Sequence, residues 1–235
     1  MVLAVLLGAA WGCSLALAAP MPVPRGVAAT VVAKSIPISV LDHWIFVAAK
    51  SDAAQAPGQP VIVPTDPPRF RRCIEQVRSK VPSLRHQSRR LLEADCEQLF
   101  DQLSGEALSF LITAQWYLDE AAARDITITR QQVLRAFHKA RRQQFPTSSE
   151  FRKFLRATGQ TVSDVLFRFR VELTVAALLG HVHGAAAPRA QERLDAQLRR
   201  RYRPHTECAR LYVIPDCSNP RAKPPRPGRP RGFAG

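Results

Sequence analysis

A chain of 235 residues with 46% hydrophobic content is long enough to bury one real core and too apolar for a disordered chain. Its 34 Lys and Arg against 19 Asp and Glu leave a net charge of +15, which suits nucleic acid, an anionic membrane or acidic polypeptides as partners without choosing among them. No phosphate-binding glycine loop and no zinc signature occurs, which removes the commonest nucleotide and zinc chemistries.

The first charged residue is Arg25. Before it, MVLAVLLGAAWGCSLALAAP is an apolar run followed by small residues. Ala16-Leu17-Ala18 fits the A-x-A pattern of a signal-peptidase site, so residues 1–18 read first as an export signal cleaved after Ala18. Two other readings stand beside it: a lipoprotein acylated at Cys13, behind the imperfect lipobox Ala10-Trp11-Gly12-Cys13, and an uncleaved membrane anchor, for which the run is long enough. The basic flank of a signal peptide is missing, so the natural start is expected upstream of Met1. All three readings place the folded part outside the cytoplasm, secreted or associated with the cell envelope.

Beyond residues 19–30, TVVAKSIPIS predicts two short extended runs around a turn at Lys34-Ser35. Pro37 keeps Ile36 extended. Ser39 with Asp42 predicts a capping box, opening a helix whose apolar face is Leu41, Trp44, Ile45 and Ala48. Residues 51–68, rich in Pro, Ala and Gln, are expected as a surface loop. Phe70, Ile74, Val77 and Val81 mark a second helix. Leu92, Cys96, Leu99 and Leu103 mark a third. A fourth carries Leu108, Leu111, Ile112, Gln115, Leu118 and Ala122, ending near Asp125.

Thr129 with Gln132 predicts a capping box for a helix through Val133, Phe137 and Ala140, stopped at Phe145-Pro146. Ser148 or Ser149 is expected to cap a short helix bearing Phe151, Phe154 and Leu155, with Gly159 at its end. Thr161 with Asp164 opens the next, with an apolar stripe of Val162, Val165, Leu166, Phe169, Leu173 and Ala176. A join at residues 180–188 leads to a last helix that starts near Pro188 and carries Leu194, Leu198 and Tyr202. LYVI, Leu211 to Ile214, reads as a short extended piece. Residues 220–235 are Pro, Arg and Gly with almost no apolar content and are expected to be disordered.

With Cys13 set aside, Cys73, Cys96, Cys208 and Cys217 allow three pairings. Proximity favours Cys73–Cys96 and Cys208–Cys217, closing loops worth roughly 3 kcal/mol each in the chain-entropy estimate. Such bonds need an oxidising compartment.

These elements resemble a known family. VVAKSIPIS…LDHWI, FLITAQWYLDEAAARDITIT and RRQQFPTSSEFRKFLRATGQTVSDVLFRFRVEL are similar to the N-terminal chaperone domain of the SurA/PrsA class, and more closely to secreted actinobacterial SurA N-terminal domain proteins. The cysteines and the ending RYRPHTECARLYVIPDC share that likeness. The resemblance implies a mainly α, multi-helix domain over residues 28–203, opened by a β-hairpin and closed by a final helix packing back on it. A disulfide-closed loop at 204–219 follows. Relatives often carry a parvulin-type prolyl isomerase domain at the join. Only about eight residues stand there, against roughly a hundred for such a domain, so a chaperone module without its isomerase is expected. Prolyl isomerase activity is the family-derived alternative.

Some aromatics can line an apolar surface that holds clients: Trp44, Trp116, Phe145, Phe151, Phe154 and Phe167 are the candidates. The partners expected are unfolded or newly exported polypeptides, with an anionic membrane surface as a second. The run RFRRCIEQVRSKVPSLRHQSRR supports the latter, with eight Lys/Arg against one Glu. Nucleic acid is not expected, since the basic tail has only Phe233 for stacking. His181 and His183 are too few ligands for a metal site. Asp119 and Glu120 point about 100° apart on a helix, and no nucleophile–base arrangement emerges. No catalytic residue, metal or cofactor is therefore assigned.

Overall fold

The computed structural model describes residues 23–56, 58–180 and 186–219. Cleavage after Ala18, acylation of Cys13, the His181/His183 pair and the basic tail lie outside these residues. The protein is mainly helical, with a small antiparallel sheet in the order β2-β1-β3.

Strands β1 (Val27–Val31) and β2 (Lys34–Pro37) form the expected hairpin. Its turn is Val32-Ala33, not Lys34-Ser35, and Val32 adopts φ 56°. That conformation is costly for a β-branched residue. It lets the Val32 amide donate to the His205 carbonyl at 2.7 Å, tying the turn to the far end of the chain.

Helix α1 (Ile38–Gln55) follows β2 without a break, so its N-cap is Pro37. Ser39 lies inside the helix and caps nothing, contrary to the capping box read from the sequence. The Ile38 amide instead donates to the Gly26 carbonyl at 2.9 Å. The helix also runs through residues 51–55, shortening the predicted loop. What remains is not all surface: Ile62 is buried, and the Gln76 side chain both accepts from the Val63 amide and donates to its carbonyl.

Helix α2 (Arg71–Lys80) buries Cys73, Ile74 and Val77 as its periodicity requires. The predicted third and fourth helices are one, α3 (Arg89–Ala123), about 50 Å long. Cys96, Phe100, Leu103, Ala107, Leu111, Ala114, Tyr117 and Ala121 remain in phase along it and are all buried. Gly105 costs about 1 kcal/mol mid-helix but does not break it, and Ile214 packs beside it.

Helices α4 (Arg130–Gln144) and α6 (Val162–Leu179) open on the expected capping boxes, Thr129/Gln132 and Thr161/Asp164. Helix α5 (Ser148–Thr158) is capped by Thr147 with Glu150, not by Ser148 or Ser149, and ends at Gly159 with φ 69°. On α6 the core face is Phe167, Val171, Thr174 and Leu178 rather than the stripe read from the sequence. Val162 is exposed, and Val165, Leu166, Phe169 and Leu173 are half-buried on other faces.

Helix α7 (Ala187–Tyr202) returns along α3 and α6 and buries Leu194, Leu198 and Tyr202. The extended piece after it is Thr206–Cys208, not LYVI, whose first residues lie in a 3-10 turn over Arg210–Tyr212. This piece, β3, adds to β1 with Val31 opposite Thr206 and Ala29 opposite Cys208. Its outer edge is closed by the Asn219 side chain, which bonds both the Cys208 amide and carbonyl. The cysteines pair at disulfide distance, Cys73 with Cys96 and Cys208 with Cys217. The first joins α2 to α3, and the second closes the loop beyond β3.

The return of α7 is clamped by a buried carboxylate. Glu120 Oε2 accepts from Tyr202 and from Arg201 Nη1, both at 3.0 Å, while Oε1 accepts from Arg124 Nε at 2.8 Å. Burial alone pushes its protonation upward. The Arg124 and Tyr202 hydrogen bonds and the two arginine charges outweigh this and hold the carboxyl below its ordinary 4.5. The Tyr202 hydroxyl is pushed up to about 12 by burial and by Glu120. A lowered carboxylate contributes stability above its unfolded value and loses it as pH falls through the folded one. Glu120→Gln is therefore expected to cost about 1.5–3 kcal/mol at pH 7. The gap to the parent is expected to close as pH drops below 4.5, in urea denaturation followed by circular dichroism.

A candidate client-binding surface

Two aromatic layers differ in whether they belong to the main core. The inner layer joins α1, α3 and α6: the Trp44 ring lies 4.8 Å from Phe110 and 6.2 Å from Phe167. The Arg168 guanidinium lies over both Trp44 and Phe110. Trp44 and Trp116 are buried, and Trp116 donates Nε1–H to Thr206 Oγ1 at 3.1 Å, bracing β3. Their predicted place on a client surface is thus corrected: both are interior residues. Phe167 is half-buried but packs on the core, so it too serves the inner layer.

The outer layer is a run of phenylalanines on α4, α5 and α6. Phe169 lies 6.0 Å from Phe137, Phe137 5.7 Å from Phe151, Phe151 5.5 Å from Phe145, and Phe145 5.0 Å from Phe154. None belongs to the main core, which is assembled around α3. Phe137 and Phe151 are buried within the layer, so Phe151 is corrected from client contact to support. Phe145, Phe154 and Phe169 are half-buried. Of the six candidates, then, Phe145 and Phe154 are the half-buried ones that lie outside the main core. Phe169 joins them. The one signal pointing to it was that residues 167 and 169 lie on different faces of a helix.

The layer is anchored to α1 at several points. Gly159 approaches α1 so closely that a Cβ there would lie 2.8 Å from Phe46 Cε1. Lys50 Nζ donates to the Arg156 carbonyl at 2.6 Å. Asp164, at the start of α6, meets His43 Nε2 at 2.9 Å. Burial pushes Asp164 upward, but the Thr161 hydrogen bonds and His43 hold it below the ordinary carboxylate range. Phe46 itself is partly exposed, and periodicity gave no hint of its role.

Elsewhere, a cavity of about 250 Å³ lies between α3, α7 and the final loop, lined by Gly105, Ser109, Arg199, Ile214, Pro215 and Asp216. Asp216 is already engaged there, by Arg199 at 2.8 Å and Ser109 at 2.6 Å. Among the described residues no three His, Cys, Asp or Glu converge on a metal position, and no helix is long and apolar enough to cross a membrane. The eight cations of the α2–α3 hairpin, Arg69 to Arg90, are all exposed.

Comparison with protein-family models, curated proteins and solved structures found no match for this chain.

Within the outer layer, burial predicts different costs. Phe137→Ala, inside the outer layer, is expected to destabilise by about 3–5 kcal/mol. Phe154→Ala, half-open, is expected to cost less than half as much. Urea denaturation together with hydrogen exchange of the α4 and α5 amides checks both.

Proposed function

We propose that this protein is an extracytoplasmic chaperone-like module of the SurA N-terminal kind, holding unfolded or newly exported polypeptide on the outer phenylalanine layer. The observation that carries this reading is a layer of phenylalanines outside the main core, of which Phe145, Phe154 and Phe169 are only half-buried. The disulfide-distance pairs support an oxidising, extracytoplasmic setting.

The mechanism is reversible burial of apolar area. Covering about 300 Å² gains roughly 7 kcal/mol at 25 cal/mol per Å². Association costs remove much of that. The expected complex is weak and short-lived, as a protein that must release its clients requires.

A second surface supports a second partner. The exposed cations of the α2–α3 hairpin suit anionic lipid headgroups. Salt-sensitive co-sedimentation with phosphatidylglycerol vesicles, and none with neutral ones, is the expected outcome.

The client reading predicts that stoichiometric protein suppresses aggregation of a denatured client, and that Phe145→Ser/Phe154→Ser abolishes most of this while the fold persists by circular dichroism. Full protection by the double variant, or none by the parent, overturns it. Turnover of a proline peptide above the uncatalysed rate would favour the isomerase alternative instead.

A further inference from the structure

We infer that α2 carries a binding site for an extended aliphatic polypeptide segment, and that the chain's own Val61 to Pro64 fills it as a removable strap. The site is built from α2 and not from the phenylalanines of α4, α5 and α6. It therefore goes beyond the client reading and stands or falls apart from it.

The strap runs antiparallel to α2. Lys80 Nζ donates to the Val61 carbonyl at 2.8 Å, Gln76 holds Val63, and the Arg72 amide donates to the Asp66 carboxylate at 3.0 Å. Gln76 engages both main-chain groups of one residue. Its Oε1 accepts from the Val63 amide at 3.2 Å, and its Nε2 donates to the Val63 carbonyl at 2.9 Å. A neighbouring β-strand offers an extended segment the same pair of bonds. Any residue except proline can supply them. Side chains alternate along the strap as in a strand: Ile62 and Pro64 are buried, Val61 and Val63 half-buried. Selection thus sits at two inward positions, an aliphatic residue and a proline two residues on.

Little else holds the strap. Among the described residues, 60–65 make no hydrogen bond from main chain to main chain. The Lys80 side chain is exposed and Gln76 half-buried, so water competes for their bonds. The reversal that brings the chain back to α2 ends at Phe70, whose φ of 45° is costly for a bulky residue. The platform has its own fastening: the Cys73–Cys96 disulfide fixes α2 to α3 at a point outside the strap. An incoming segment of the same pattern finds the Gln76 and Lys80 groups already in place, and its apparent affinity falls by the fraction of chains with the strap seated.

The test uses the full oxidised chain and a labelled peptide with the sequence from Gln59 to Asp66, read by fluorescence anisotropy. Ile62→Ser/Val63→Pro removes the strap's buried anchor and its amide donor and leaves α2 untouched. This variant is expected to bind the peptide about ten-fold tighter than the parent. Adding Gln76→Ala is expected to return binding to the parent level. The same peptide with proline in place of its central Ile-Val valine, or Asp in place of its isoleucine, is expected not to bind. Equal binding by parent and variant, equal binding of the proline-substituted peptide, or no binding by a folded variant overturns the site. Hydrogen exchange of the parent decides the matter even if the variant does not fold. The Val63 amide is expected to exchange about a hundred-fold faster than the Val77 amide of α2, and faster again with excess unlabelled peptide. Equal protection of the two amides, or no response to peptide, overturns the strap.

Discussion

The fold depends on closing a chain whose two ends meet. Glu120 draws Arg201 and Tyr202 of α7 onto α3 across more than eighty residues of sequence, and β3 then lies beside β1. One buried carboxylate with three donors is stable only when all are present, since each unpaired polar group left in the interior is costly. The Val32 amide to the His205 carbonyl and the Trp116 indole to Thr206 reinforce the same closure. Tyr117 adds another tie, donating to the Asp195 carboxylate on α7. These contacts all lie at one end of α3, so the long helix serves as the beam on which first and last elements are fastened.

That closure separates the molecule into a main core and an outer layer. Helices α1, α2, α3 and α7, with the sheet and both disulfides, share one continuous core. Helices α4 and α5 do not contribute to it; they rest on α6 and α1 through their own phenylalanines. Their buried residues are Val133, Phe137 and Phe151, which meet α6 and α1 rather than α3. The outer layer is thus assembled apart from the closure.

Local signals were legible where one residue type performs one local task. Thr129/Gln132 and Thr161/Asp164 were readable because a capping box lies within four residues. Gly159 was readable because a positive φ favours glycine. The failures were tertiary. Ser39 looks like a cap, but Gly26 takes that helix's first amide. Gly105 looks like a boundary, but the apolar phase continues through it. Three-residue β3 has no periodicity to read, and its partner strand lies at the opposite end of the chain. The stripe chosen on α6 was apolar, yet the helix is apolar on two faces. Only packing decides which one meets α3.

The same two-faced character of α6 joins the two parts. Phe167, Val171 and Leu178 belong to the side that meets the core, while Phe169, two residues from Phe167, reaches Phe137 in the outer layer. Asp164, at the head of that helix, both caps it and holds His43 of α1. Any displacement of the outer layer is therefore felt at a capped helix start, where moving the Asp164 carboxylate gives up hydrogen bonds to Thr161 as well as the contact with His43. The restraint is local, because α6 remains seated on α3 along its other face. An outer aromatic layer and a continuous core can thus share one helix, because its two faces carry different partners.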